Sequence, residues 1–166
     1  MKCWFIVMMD EMLEFRTAGP DDVEFIVRLI NSAFLVEQFF IERDRTNPDM
    51  VRQLMKKGRF LLAEDDKHLT ACVYVEVRGD HGYLGMLSVD PERQRQGVGR
   101  QLISNAEQFF REAGCRTSDL RIVDVRTELL ALYRRLGYLE TGTSPYEATV
   151  PPKMPVHFIH MSKRLE

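Results

Sequence analysis

Three strand-like runs follow one another between residues 59 and 89 with no helix between them, and this constrains the fold more than any other feature of the chain. Arg59–Glu64 and Thr70–Arg78 are separated by the polar turn Asp65-Asp66-Lys67-His68. Gly79-Asp80-His81-Gly82 separates the second run from Tyr83–Val89. Connections this short join antiparallel neighbours, because a parallel pair needs a crossover of a dozen or more residues. A doubly wound, purely parallel sheet is therefore excluded.

The remaining segments alternate helices with strands around this block. Leu13–Thr17 alternates apolar and polar residues as a first strand does. Pro20, Asp21 and Asp22 open a helix, with the acids at its positive end, and Val23, Ile26, Val27, Ile30 and Phe34 recur at helical spacing. The pattern breaks from Leu35 to Pro48. A short helix over Asp49–Lys57 ends at Gly58. After Pro91 a helix is predicted from Val98 to Ala113, burying Leu102, Ile103, Ala106, Phe109 and Phe110, with Gly114 as its cap. Leu120–Val125 reads as a strand, and Thr127 as the cap of a helix over Glu128–Leu136 that Gly137 stops. Tyr138–Thr141 and Val156–Met161 are the last strands, separated by a proline-containing loop. The order β, α, α, β, β, β, α, β, α, β, β predicts an α/β chain of the α+β type. It should have a mixed, mostly antiparallel central sheet of about seven strands with helices on both faces.

A length of 166 residues suits one domain, expected over 13–166. Residues 1–12 read as an N-terminal extension, with an added edge strand as the competing reading. Their apolar run lacks the small-residue cleavage site of a signal peptide and is too short to span a bilayer. A formal net charge of −2 provides no global field toward nucleic acid or an anionic membrane, so neither is expected as a partner. Cys3, Cys72 and Cys115 form no Cys-x-x-Cys pair and have no His at zinc-ligand spacing, so no metal is expected. Scattered cysteines in odd number suit a reducing compartment, and the expected location is cytoplasmic.

The chemistry concentrates where a strand passes through a loop into a helix, at Leu87-Ser88-Val89-Asp90-Pro91-Glu92-Arg93-Gln94-Arg95-Gln96-Gly97-Val98-Gly99-Arg100. The first N–H groups of a helix have no partner within it and, with the helix dipole, form an anion site. Gly97 and Gly99 remove the Cβ atoms that would hold a phosphate away. Arg93, Arg95 and Arg100 add positive charge. Glycines and basic residues at a helix start also serve plain turns and solvated faces, so spacing has to discriminate. The spacing is not Gly-x-x-x-x-Gly-Lys, and Leu102 stands where a dinucleotide fingerprint has its third glycine.

Gln94-Arg95-Gln96-Gly97-Val98-Gly99 resembles the acyl-CoA signature of the GNAT superfamily of N-acyltransferases, Gln or Arg, two residues, Gly, one residue, then Gly or Ala. The preceding Leu-Ser-Val-Asp-Pro and the element order from Leu13 to Met161 are similar to that family as well. The resemblance implies that the backbone from Gln94 to Gly99 holds the pyrophosphate of acetyl-CoA, the cosubstrate. It implies that the strand edge at Leu87, Ser88 and Val89 pairs with the pantetheine arm, and that an N–H near Leu87 faces the thioester carbonyl. The reaction implied is acetyl transfer to the amine of a small molecule or peptide. A non-catalytic acyl-CoA-binding sensor or interaction domain of the same fold is the alternative. The acceptor is unidentified, and a homodimer is compatible with this reading.

Leu132-Tyr133-Arg134-Arg135-Leu136-Gly137-Tyr138 resembles the family's later motif, which implies that Tyr133 protonates the departing thiolate. By residue type alone, Tyr133 packs its ring and hydrogen-bonds locally. Many family members carry Asn seven residues before this Tyr, at a cofactor contact. Here Arg126 stands there, open to replacing that contact, reaching a phosphate or capping the region. For the general base, Glu76 is the first candidate, with Glu37 and Glu42 as others, although each also reads as a surface acid. His81 and His157 are further candidates, although a turn histidine and a late-strand histidine also read as structural. The acceptor wall is expected over Leu35–Arg45, where Phe39 and Phe40 either line a pocket or pack in the core.

Overall fold

Asp66 and Lys67 close the hairpin between strands β2 (Arg59–Asp65) and β3 (His68–Arg78), and both have positive φ, 45° and 65°. A two-residue turn with left-handed central residues matches the twist of the strands it joins. Gly79, at φ 64°, turns the chain again into β4 (His81–Val89). This computed structural model describes residues 13–147 and 150–166; the readings made of residues 1–12 lie outside them.

The other elements are β1 (Glu14–Thr17), α1 (Val23–Ala33), α2 (Pro48–Lys57), α3 (Val98–Glu112), β5 (Thr117–Val123), α4 (Thr127–Arg135), β6 (Leu139–Pro145) and β7 (His157–Arg164). One sheet takes all seven strands in the order β1-β2-β3-β4-β5-β7-β6. Every neighbouring pair is antiparallel except β4 with β5. The element order and the mixed, mostly antiparallel sheet are as the sequence predicts. Helices α3 and α4 cover one face, where Leu102, Ile103, Ala106 and Phe110 meet Leu61, Val73, Leu84 and Leu120. Helices α1 and α2 cover the other, where Ile26, Ile30 and Val51 meet Phe60, Leu62 and Tyr74.

Boundaries differ from the sequence reading where a residue's local character hides its setting. His81 and Gly82 belong to β4 rather than to the turn. A Cβ on Gly82 would come within 2.3 Å of the Phe110 ring, so this glycine lets α3 lie flat on the sheet. β5 begins at Thr117 because its polar residues are satisfied inside: Ser118 is fully buried and its hydroxyl lies 2.8 Å from that of Tyr138. Arg126, not Thr127, stands at the N-cap of α4, and its side chain makes no capping bond.

The sheet is split where the chemistry is expected. β4 pairs with β5 only through His81, Gly82 and Tyr83 against Thr117, Ser118 and Asp119. Beyond that point β4 continues along β3 to Val89, and β5 along β7 to Val123. The β3–β4 register shifts between Cys72 and Tyr74, and Met86 in the facing stretch has φ 52°. A bulge bends its strand and increases the twist, so β4 leaves β5 and opens a V-shaped gap.

Candidate functional site

A cavity of about 1700 Å³ occupies this gap. Its lining includes Leu84, Leu87 and Tyr133, which pack on the α3/α4 side, and Tyr74, Tyr83 and Met86, which pack on the α1/α2 side. The cavity thus passes through the sheet, with residues from both faces in its walls.

The loop before α3 forms one end. Gln94 ties the loop to β4 by donating from Nε2 to the Val89 carbonyl at 3.2 Å, which gives the leading Gln of the motif a structural task. Arg95 and Gly97 both have positive φ, 65° and 81°. Left-handed residues interspersed in a turn direct successive N–H groups into a concavity that suits an anion. Gln101 is the first α3 residue whose N–H reaches a helical carbonyl, that of Gly97 at 3.1 Å, so the N–H groups of Val98, Gly99 and Arg100 point out of the helix end. A Cβ at Gly97 would meet nothing within 4 Å, so the space beside it is open. Gln94, Arg95, Gly97, Val98, Gly99 and Arg100 line the cavity, whereas Gln96 is exposed outside it. Arg93 lines it too but is ion-paired with the buried Asp65, so its charge is already matched. Arg95 and Arg100 form no ion pair among the described residues and keep theirs for a ligand.

Beyond the loop, Leu87 and Val89 line the cavity along the β4 edge that has left β5. The Ser88 side chain is buried on the other side and donates to the Met86 carbonyl at 3.0 Å. On α4, Tyr133 is buried with its ring edge-on to Tyr138, centroids 5.5 Å apart. Its hydroxyl makes no hydrogen bond with any described residue, and burial raises its pKa. This tyrosine keeps its proton at neutral pH and faces a cavity rather than a local partner. These residues fit a coenzyme A thioester: an N–H cradle with free cations for phosphates, an open strand edge for an amide-bearing arm, and a phenol deeper in the gap.

Arg126 lines the cavity with its charge already matched. Its guanidinium bonds Glu37 Oε1 at 2.8 Å through Nη1 and bonds Glu128 through Nε. Only 13% of its side chain is exposed, so both carboxylates hold it in the cavity wall. Glu37 itself lies in the short 3-10 turn after α1 and is 6% exposed. Desolvation raises its pKa, opposed by Arg126 and Arg45. Glu37 Oε2 accepts no hydrogen bond from any described residue. Glu76 has the opposite surroundings. It accepts from Arg78 at 2.9 and 3.1 Å and from the Tyr74 hydroxyl at 2.8 Å, which holds its pKa below the usual carboxylate range. It is not among the residues lining the cavity; it aims Tyr74 and Arg78, which are. Glu42 is exposed and pairs with Lys153. Phe40 is fully buried against Tyr146 and Phe158 and so belongs to the core, while Phe39 is half exposed and outside the cavity wall. Tyr83, Arg78 and Arg121 also line the cavity, although no motif in the sequence singles them out.

Among known proteins, the sequence model described as the acetyltransferase (GNAT) family matches residues 24–138. The aminoglycoside N(6')-acetyltransferase type 1 of Stenotrophomonas maltophilia is 33% identical over 98 residues, covering 52% of this chain and 63% of that protein. A mycothiol acetyltransferase of Clavibacter sepedonicus is 30% identical over 125 residues, covering 74% of this chain and 41% of that protein. The chain thus spans less than two thirds of the length of these curated relatives. The crystal structure of the ribosomal-protein-S18-alanine N-acetyltransferase of Escherichia coli superposes with a TM-score of 0.76 at 20% identity, covering 93% of this chain and 95% of the other.

Proposed function

The chain belongs to the acetyltransferase (GNAT) family, and on that premise we propose that it transfers an acetyl group from acetyl-CoA to an amine of a small molecule or peptide by direct attack on the thioester. The observation that carries this reading is the cavity through the split sheet, with the N–H cradle before α3 at one end and Tyr133 and Glu37 in its walls. Relatives named for aminoglycoside, mycothiol and ribosomal-protein acetylation show that membership does not set the acceptor.

In this reading the N–H groups of Val98, Gly99 and Arg100, with Arg95 and Arg100, bind the phosphates. The open β4 edge at Leu87 and Val89 orients the pantetheine arm. Glu37 receives the proton of the attacking amine through its open Oε2, while Arg126 holds Oε1 and fixes the carboxylate. A buried carboxylate with a raised pKa is a stronger base than a surface one. The amine nitrogen forms the new bond to the acyl carbon, the carbon–sulfur bond breaks, and the Tyr133 hydroxyl gives its proton to the thiolate. A phenol of pKa ~10 made weaker still by burial donates uphill to a thiol of pKa ~8.5, so its contribution is to a proton shared in the transition state.

Coenzyme A release from acetyl-CoA across a panel of amines tests the reading. Acetylated amine should form in amounts equal to coenzyme A. Tyr133→Phe should lower kcat by about 10²–10⁴-fold at unchanged acetyl-CoA affinity. Tight acetyl-CoA binding with no product from any amine would instead favour a sensor of the same fold.

A further inference from the structure

A second cavity of about 570 Å³ lies against the first on the α1/α2 side of the sheet, lined by residues of β4, β5, β7 and β6. The two share Arg78, Tyr83, Leu120 and Arg121 in their walls, so they adjoin there. Strand pairing puts Tyr83 beside Asp119, Asp119 beside Ser162, and Arg121 beside His160, which lines the second cavity with polar side chains.

Most charges in these walls are already matched. Arg78 is bound to Glu76, and Arg52 to Glu24 and Asp49. Asp119 is held by His81 Nδ1 at 2.9 Å and by the Ser162 hydroxyl at 2.5 Å. Besides Arg95 and Arg100 at the loop, two guanidiniums in these walls, those of Arg45 over the Phe34 ring and of Arg121, have neither a hydrogen bond nor an ion pair among the described residues. Of these two, Arg121 alone lines both cavities. It lies over the Phe158 ring, 4.2 Å from the centroid. Stacking on an aromatic face fixes the guanidinium plane while leaving its N–H donors at the edge free. A fork of free donors at a fixed place between two cavities suits one kind of group, an oxyanion that accepts two parallel bonds.

We propose that the amine acceptor carries an anionic group, a carboxylate or a phosphate, which Arg121 binds where the two cavities meet while the amine points toward Glu37. This rests on the reading that the acceptor enters the through-sheet cavity. A desolvated carboxylate at the amine end and an unmatched cation at the other select a bifunctional acceptor over a plain amine or a polyamine. Specificity then follows from the bidentate ion pair that only an anionic acceptor makes with the exposed Arg121.

The test compares amino carboxylates, aminoalkylphosphonates and the corresponding amino amides, matched in chain length, as acceptors with acetyl-CoA. The acids of one or both anionic kinds should exceed their amides in kcat/KM by roughly 10- to 100-fold. The carboxylate and phosphonate arms identify which anion is taken. In Arg121→Ala that ratio should fall toward one, and in Arg121→Lys it should be intermediate, since charge survives without the planar fork. Calorimetric titration of each variant with acetyl-CoA reports folding independently of the acceptor. Amides used as well as acids, a preference that survives Arg121→Ala, or no acid acetylated by protein that binds acetyl-CoA would each overturn the proposal. Protein that does not bind acetyl-CoA would overturn the transferase reading on which it rests.

Discussion

Glu37 lines the cavity in the split sheet, Glu76 holds two residues that line it, and the surroundings of the two carboxylates push them in opposite directions. Desolvation raises Glu37, whereas the hydrogen bonds from Arg78 and Tyr74 hold Glu76 low. A base must be deprotonated to act, so activity should be lost as pH falls through the raised pKa of Glu37. The acid limb of kcat/KM should therefore lie above the ordinary glutamate value of ~4.3. Glu37→Gln should lower kcat by roughly 10²–10⁴-fold and abolish that limb, while Glu76→Gln should leave its position unchanged; pH–rate profiles of the three proteins decide this. An acid limb that stays in Glu37→Gln assigns the base elsewhere. The turn that leads into α3 was legible from residue types because local backbone geometry sets it. The burial of Glu37 was not. Glu37 is buried only because the turn after α1 meets Arg126, 89 residues away in the chain, and no local pattern carries such a contact.

At the scale of elements, the register of α3 on the sheet depends on Gly82. The ring of Phe110 occupies the space of a Cβ there, with three ring atoms within 2.5 Å of where it would stand. Gly82→Ala should force α3 outward and destabilise the protein by about 1–3 kcal/mol, measured by denaturant unfolding, since overpacked cores relax at that cost. A shift in midpoint below ~0.5 kcal/mol would show that α3 yields freely. The strands and helices themselves were legible, because apolar periodicity is a local property of the chain. Their ends were not, wherever a distant partner satisfied a polar residue. Ser118 and Tyr138 share a hydrogen bond, and Tyr138 and Lys163 both donate to Glu107, itself 5% exposed on α3. That buried network lets β5 begin three residues earlier than its apolar residues indicate.

At the scale of the whole molecule, the split between β4 and β5 is both the candidate site and a weakness of the fold. Three residue pairs are all that join the two halves of the sheet directly. Past them, α3 and α4 span the gap on one side, and the ion pairs of Arg126 with Glu37 and Glu128 link the turn after α1 to the start of α4. A ligand that touches the loop before α3, the free edge of β4 and the wall at α4 would add cross-links the polypeptide lacks, and would do so only in the folded state. Acetyl-CoA at 100 times its dissociation constant should stabilise the protein by ~2.7 kcal/mol. At roughly 2–4 °C per kcal/mol for a chain of this size, the melting temperature should rise by about 5–10 °C. The rise should grow with the logarithm of ligand concentration, as mass action requires, and differential scanning calorimetry over a concentration series measures it. Because the proposed phosphate contacts include the exposed charges of Arg95 and Arg100, the same series at high salt should need more ligand for an equal shift. A melting temperature indifferent to acetyl-CoA in folded protein would mean that the gap between β4 and β5 does not receive it.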